Sequence, residues 1–166
     1  MSNSIKQFDW NVVVLAVLGF WLSGSFLLDF VIIPVLSSTG MMAADTGFIS
    51  AGYVLFSVFN RLELVCGGII LAAFFAFREA GRFGDHQGLN ALVLASGLLN
   101  IALLYTYVIT PQISGLGIAM ESITVAPTMP TTMVWWHGAY WGLELVKFVL
   151  GITLWRWCYQ RSCSIA

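Results

Sequence analysis

Four apolar runs dominate this sequence, and each is long enough to cross a lipid bilayer as an α-helix. They cover residues 12–33, 52–77, 89–109 and 134–157. The hydrocarbon core of a bilayer is about 30 Å thick, so a spanning helix needs roughly 20 residues. Only 9% of the residues are charged, whereas soluble domains carry about 25%. The sequence therefore predicts an all-α integral membrane protein, a four-helix bundle in a single domain. A net charge of −1 gives it no basic surface for nucleic acid.

The positions of lysine and arginine predict how the bundle lies in the membrane. Apart from Arg61 and Lys147 inside the runs, these residues occur near both termini and between the second and third runs, while residues 35–51 and 112–133 contain none. Positive residues collect on the cytoplasmic side of a membrane. Both termini are therefore predicted to be cytoplasmic. The expected location is a multi-pass position in a bacterial-type inner membrane or a thylakoid-like membrane.

Prolines and loop composition predict the helix ends. The residue before a proline is disfavoured in the helical region, so Pro34 and Pro111 are expected to end the first and third helices. The following segment, residues 113–124, is amphipathic enough to form a short helix in the membrane interface.

Two short similarities between the halves of the chain predict an internal repeat. Residues 30–36 read FVIIPVL and residues 107–113 read YVITPQI, while residues 62–65 and 143–146 both read LELV. The second copies follow the first by 77 and 81 residues. Two helical hairpins related by an axis along the membrane normal, a parallel repeat, would give this order.

Ionisable residues inside the second and fourth runs are the main functional candidates. Glu63 and Glu144 lie near the middle of their spans, with Arg61 and Lys147 close by, and Asn100 is the polar candidate on the third helix. An ionised side chain at the bilayer centre costs at least about 2.5–3.5 kcal/mol on insertion scales. With two carboxylates and two cations, this midplane group is expected to be neutral. It forms interhelical ion pairs, lines a substrate or proton path, or contacts a partner; all three interpretations are open.

Asp29 is a candidate on the outer side, about one turn from the end of the first helix. One interpretation leaves its carboxylate solvated in the interface. In the other it turns into the bundle, where Arg61 is the nearest cation by estimated depth. A carboxylate buried there without a cation would be suited to carrying a proton.

His137 is the second outer candidate, and it shares one helix face with Tyr140, Glu144 and Lys147. Met129, Met133 and His137 are spaced four apart, and thioether and imidazole ligands suit Cu(I). Alternatively, the methionines fill apolar surface at the interface. A bis-histidine haem is disfavoured, since the other histidine, His86, falls on the opposite side. A single histidine could still ligate a five-coordinate haem or a chlorophyll, but a hydrogen-bonded histidine in the interface is the preferred interpretation of His137. No cofactor is predicted.

Several short motifs resemble the small four-helix membrane family called domain of unknown function 4149, to which the animal transmembrane protein 205 is similar. The motifs are Pro34, the Asn-Arg-Leu step at 60–62, Asn100 with Pro111, and His137-Gly138. The family's fourth helix usually reads His-Gly-Leu-Ser, whereas here Ala139 and Tyr140 follow the glycine. The resemblance implies a four-helix membrane fold. A more distant similarity to copper resistance protein D implies a link to copper handling.

Two classes of function are consistent with these patterns. The first is a non-enzymatic accessory or structural subunit of a membrane complex, or a homo-oligomer, because no activated nucleophile with its base is recognisable. Its partners would be the lipid bilayer and other membrane proteins or further copies of the chain. The alternative is a small transporter that handles protons, ions or copper through the midplane carboxylates.

Overall fold

The fold is all-α, as predicted. The computed structural model describes residues 10–38, 47–81, 85–121 and 131–163, and within these ranges only the turn at residues 80–81 is not helical. The four helices are α1 (residues 10–38), α2 (Gly47–Glu79), α3 (residues 85–121) and α4 (Thr131–Cys163). The turn after α2 is closed by Gly81, which has a φ of 63° and donates its N–H to the Arg78 carbonyl.

The helices form an up-down-up-down bundle. Each helix contacts the next one along the chain, and α4 packs back against α1. In the described ranges the diagonal pairs, α1 with α3 and α2 with α4, have no α-carbons within 8 Å of each other. We call the end of the bundle with residues 10, 79, 85 and 163 the terminal end, and the other the opposite end.

Three of the helices are long and apolar enough to cross a membrane: Trp10–Val35, Gly52–Glu79 and His86–Gly117. These helices fit an integral membrane protein in contact with lipid. Large apolar side chains cover the outer surface of the bundle, as on α4, where Leu145 and Val149 are 67% and 64% exposed. At 33 residues, α4 is as long as α2, but its histidine, glutamate, lysine and aromatic residues make it less apolar.

Two helices contain π-helical segments near their prolines. In α1 the α-helix Trp10–Phe26 is followed by the π-helix Leu27–Ile32 and the α-helix Ile33–Ser38. In α3 the order is Asp85–Leu104, the π-helix Tyr105–Ile109 and Thr110–Glu121.

The prolines therefore do not end these helices, contrary to the prediction. The residue before each proline donates its N–H five residues back, Ile33 to the Leu28 carbonyl and Thr110 to the Tyr105 carbonyl. A proline has no N–H, and its ring crowds the carbonyl four residues earlier in a regular α-helix. The wider π turn relieves this crowding, so the helix continues. The separate interfacial helix predicted at 113–124 is instead the end of α3 as far as Glu121; residues 122–124 lie outside the described ranges.

An apolar core fills the terminal half of the bundle. Its buried members come from all four helices and include Val14, Leu18, Ile70, Phe74, Phe77, Ala91, Ala95, Leu98 and Leu154. Glycines permit the close approach of α1 and α4. A Cβ atom at Gly19 would lie 2.7 Å from the Trp155 ring, and one at Gly151 would lie 2.8 Å from Leu22.

Candidate functional site

A group of buried polar side chains lies at the centre of the bundle, between this apolar core and the opposite end. All four helices contribute to it. We call it the polar cluster, and its members are Trp21, Ser25 and Asp29 from α1, Glu63 from α2, Tyr105 from α3, and Tyr140, Glu144 and Lys147 from α4. The spacings of three and four residues on α1 and α4 place each set on one helix face.

Lys147 occupies the middle of the polar cluster and is fully buried. Its Nζ lies 2.7 Å from Glu63 Oε1 and 2.5 Å from Glu144 Oε1. The same nitrogen is 5.1 Å from the centroid of the Tyr105 ring. An ammonium group has three N–H donors, and two carboxylates and an aromatic face surround this one.

Glu63 joins Lys147 to α1. Its Oε1 accepts hydrogen bonds from Trp21 Nε1 at 2.8 Å and from Ser25 Oγ at 3.2 Å, in addition to the lysine. The ion pair between Glu63 and Lys147 spans the diagonal of the bundle, where the backbones of α2 and α4 do not touch. These bonds fix α1, α2 and α4 relative to one another.

Tyr140 connects the other two carboxyl groups. Its hydroxyl oxygen lies 2.5 Å from Asp29 Oδ1 and 3.4 Å from Glu144 Oε1. The hydroxyl of Tyr105 donates to the Tyr140 carbonyl oxygen at 3.3 Å. A tyrosine has one hydroxyl proton, so Tyr140 donates to one carboxylate at a time. Tyr140, which contacts Asp29, and Lys147, which contacts Glu63, are seven residues apart on α4, a rise of about 10 Å. A continuous series of contacts therefore links Asp29 to Glu63 along the bundle axis.

The polar cluster has more carboxyl groups than cations. Fully ionised, Asp29, Glu63, Glu144 and Lys147 would carry a net charge of −2. One oxygen of each carboxyl group, Oδ2 of Asp29 and Oε2 of both glutamates, is buried without a hydrogen-bond partner among the described residues. An isolated carboxylate in an apolar interior is so costly that it normally takes up a proton instead. Neutrality here requires two further positive charges, supplied by bound protons or by other cations.

The predicted balance of two carboxylates and two cations is wrong, because Arg61 is not in the polar cluster. Its side chain is exposed on the outer surface of α2. Two residues along a helix correspond to a rotation of about 200°, so Arg61 and Glu63 point to opposite sides. Asp29 does turn inward and is 3% exposed. The side chain that contacts it is Tyr140, not Arg61.

Asn100 is also outside the polar cluster. It is exposed on α3 and donates to the Ser96 carbonyl of its own helix at 2.9 Å. The described structure thus brings together three of the five residues assigned to the midplane, Glu63, Glu144 and Lys147, and adds Asp29 from the outer set. The contribution of Trp21 and Tyr105 to the polar cluster was not predicted, because an aromatic residue in an apolar run gives no sign of a polar contact.

His137 lies apart from the polar cluster and is half-buried. Its Nδ1 is 2.9 Å from the Met133 carbonyl oxygen, four residues earlier in α4. A carbonyl only accepts hydrogen bonds, so Nδ1 carries the proton. The described residues contain no group of three or more His, Cys, Asp and Glu side chains able to hold a metal. Met129, the third member of the predicted copper set, lies outside the described ranges.

Comparison of this chain with protein-family models, with curated proteins and with solved structures finds no match. Function is therefore inferred from the polar cluster and from the bundle that surrounds it.

Proposed function

We propose that this chain is a small four-span membrane protein that binds and releases protons at the polar cluster, as part of proton transport or proton-coupled transport. The observation that carries this proposal is the excess of carboxyl groups over cations in the polar cluster. One oxygen on each of Asp29, Glu63 and Glu144 has no hydrogen-bond partner in the part of the chain that the structure describes. Ionisable groups inside a membrane bundle are costly, and they commonly mark ion pathways and proton relays.

The proposed topology makes α4 the fourth span. This helix lies antiparallel to α1 and α3, and it places its lysine and glutamate in the bundle interior rather than toward lipid. The lysine and arginine distribution supports cytoplasmic termini, and in this topology the opposite end of the bundle faces outward. We also propose that α1–α2 and α3–α4 are repeats. The similar π-helical segments before Pro34 and Pro111 support this relationship.

In the proposed mechanism Tyr140 passes protons between Asp29 and Glu144. Its hydroxyl accepts a proton from one carboxyl group while it donates its own to the other, so the tyrosine is unchanged after each transfer. Lys147 holds Glu144 and Glu63 in place through its ion pairs. Buried apolar side chains such as Leu18, Ile70 and Leu154 fill the bundle centre on the cytoplasmic side. A smaller apolar cluster around Ile109 lies toward the opposite end. Proton exchange with either side of the membrane therefore requires apolar side chains to move apart.

A flux measurement tests this function. The purified protein is placed in liposomes that enclose a pH-sensitive dye, and proton movement is followed after a potassium diffusion potential is applied. Glu144→Gln should slow the acidification at least tenfold, while Glu79→Gln, an exposed glutamate at the terminal end of α2, should leave it unchanged. A wild-type trace no faster than that of empty liposomes, at either sign of the potential, would count against unassisted proton transport.

An accessory subunit of a membrane complex is the second candidate function. It is favoured by Arg61, a cation that the bundle leaves on its outer surface within a spanning helix. Gentle extraction from the native membrane, followed by mass determination, tests this candidate: a free monomer would contradict it. Copper handling through Met129, Met133 and His137 and membership of the domain of unknown function 4149 family remain proposals from the sequence.

A further inference from the structure

The outer face of α2 presents a charged side chain where the bundle should meet lipid. Arg61 is exposed, and it lies nine residues inside the span Gly52–Glu79, which is about 13 Å along the helix axis. Arginine and lysine near the ends of spanning helices extend to the headgroups, but Arg61 is more than two turns from its end. Intramembrane arginines almost always face a bundle interior, a cavity or an ionic partner.

The residues around Arg61 form a surface suited to helix packing. Val58 and Val65 flank it on the same face and are 53% and 58% exposed. Further along, Gly68 is exposed and has open space beyond its backbone, and Ala72, four residues later, is exposed as well. Two small residues four apart let a second helix approach closely. The arginine provides the independent indication that this face is covered.

No carboxylate whose side chain the structure describes lets a second copy of the chain supply the missing charge. Among the side chains that the structure describes, Asp29, Glu63 and Glu144 are buried inside their own bundle. The exposed carboxylate is that of Glu79, 18 residues from Arg61, or about 27 Å along α2. Copies in one membrane have the same orientation, so pairing through α2 would bring two arginines together.

We propose that this face of α2 binds a transmembrane helix of a different protein, and that an aspartate or glutamate in that helix pairs with Arg61. The inference rests on the second candidate function, the accessory subunit, and names the chemistry of its partner. The proposed interface is independent of proton transport, because Arg61 is not a member of the polar cluster.

The experiment uses the full chain, tagged and expressed in its native membrane. Mild detergent extracts are separated by native electrophoresis, and the components of the assembly are identified by mass spectrometry. Arg61→Leu should reduce the co-purified partner at least tenfold. Arg61→Lys, which keeps the charge, should retain most of it, and Arg78→Leu is the matched control for loss of a cation from α2. The purified Arg61→Leu protein should unfold at the same temperature as wild type, since the side chain is exposed.

A charge swap gives the decisive result. Arg61→Glu should abolish the assembly, and replacing the partner's intramembrane carboxylate by lysine should restore it. A partner that remains bound to Arg61→Leu would overturn the interface while leaving the accessory function intact. An assembly made only of 18.2 kDa chains would overturn the different-protein partner, and a free monomer would overturn both the interface and the accessory function.

Discussion

Replacing Lys147 by methionine removes the cation at the centre of the polar cluster without creating a large cavity. At 2.7 and 2.5 Å, each ion pair has a gross attraction of about 6 kcal/mol at an effective dielectric constant of about 20. Desolvation offsets much of this, and removing one partner from a buried pair costs about 3–5 kcal/mol. We therefore expect Lys147→Met to lower the free energy of unfolding by about 3–5 kcal/mol at neutral pH.

The defect should become smaller as the pH falls. Without the ammonium, a neutral polar cluster needs a proton on each of Asp29, Glu63 and Glu144, one more than in the wild type, while the unfolded chain leaves all three ionised at neutral pH. The folded state then binds more protons than the unfolded state, so its stability rises on acidification.

The measurement is reversible denaturation of the purified protein in detergent, followed by tryptophan fluorescence at neutral and at mildly acidic pH. Arg61→Met is the control, because it removes an exposed cation from the same bundle and should change stability by less than about 0.5 kcal/mol. A Lys147→Met protein within about 1 kcal/mol of wild type at neutral pH would refute the claim that this lysine neutralises buried carboxylates.

Two further changes test other contacts. Tyr140→Phe removes the hydroxyl that donates to Asp29, and leaving that carboxyl group without a donor should cost about 1–3 kcal/mol; denaturation equal to wild type would contradict the bond. Gly151→Ala places a Cβ 2.8 Å from Leu22 and should lower stability by about 1–3 kcal/mol. Gly142→Ala on the same helix has open space, so it should be neutral or slightly stabilising, and an equal loss at both positions would contradict close packing of α1 on α4.

Three of the four predicted spans correspond to helices that are long and apolar enough to cross a membrane, and they could be predicted because hydropathy and length are properties of the chain alone. Whether the helices end near their prolines could not be predicted. The general rule that proline ends a helix fails at Pro34 and Pro111, because a π turn before each one removes the clash. Whether a helix ends or widens at a proline depends on the packing around it, which the local sequence does not contain.

The candidate site was predictable only in part, for a similar reason. The burial of Glu144 and Lys147 follows from their common face on a helix. The separation of Arg61 from Glu63 also follows from helical geometry, because two residues correspond to a rotation of about 200°, whereas their similar depth in the membrane does not distinguish them. The bond between Tyr140 and Asp29 joins residues 111 positions apart, so only the assembled bundle shows it. The charge excess of the polar cluster is therefore a property of the fold.

Infrared spectroscopy of the purified protein tests this charge excess most directly, because protonated and ionised carboxyl groups absorb at different frequencies. At neutral pH we expect absorption from protonated carboxyl groups in a buried environment, with an intensity that corresponds to two protons. The band should weaken in Asp29→Asn and in Glu144→Gln and persist in Glu79→Gln. A spectrum in which every carboxyl group is ionised at neutral pH would contradict the proposal that the polar cluster holds exchangeable protons.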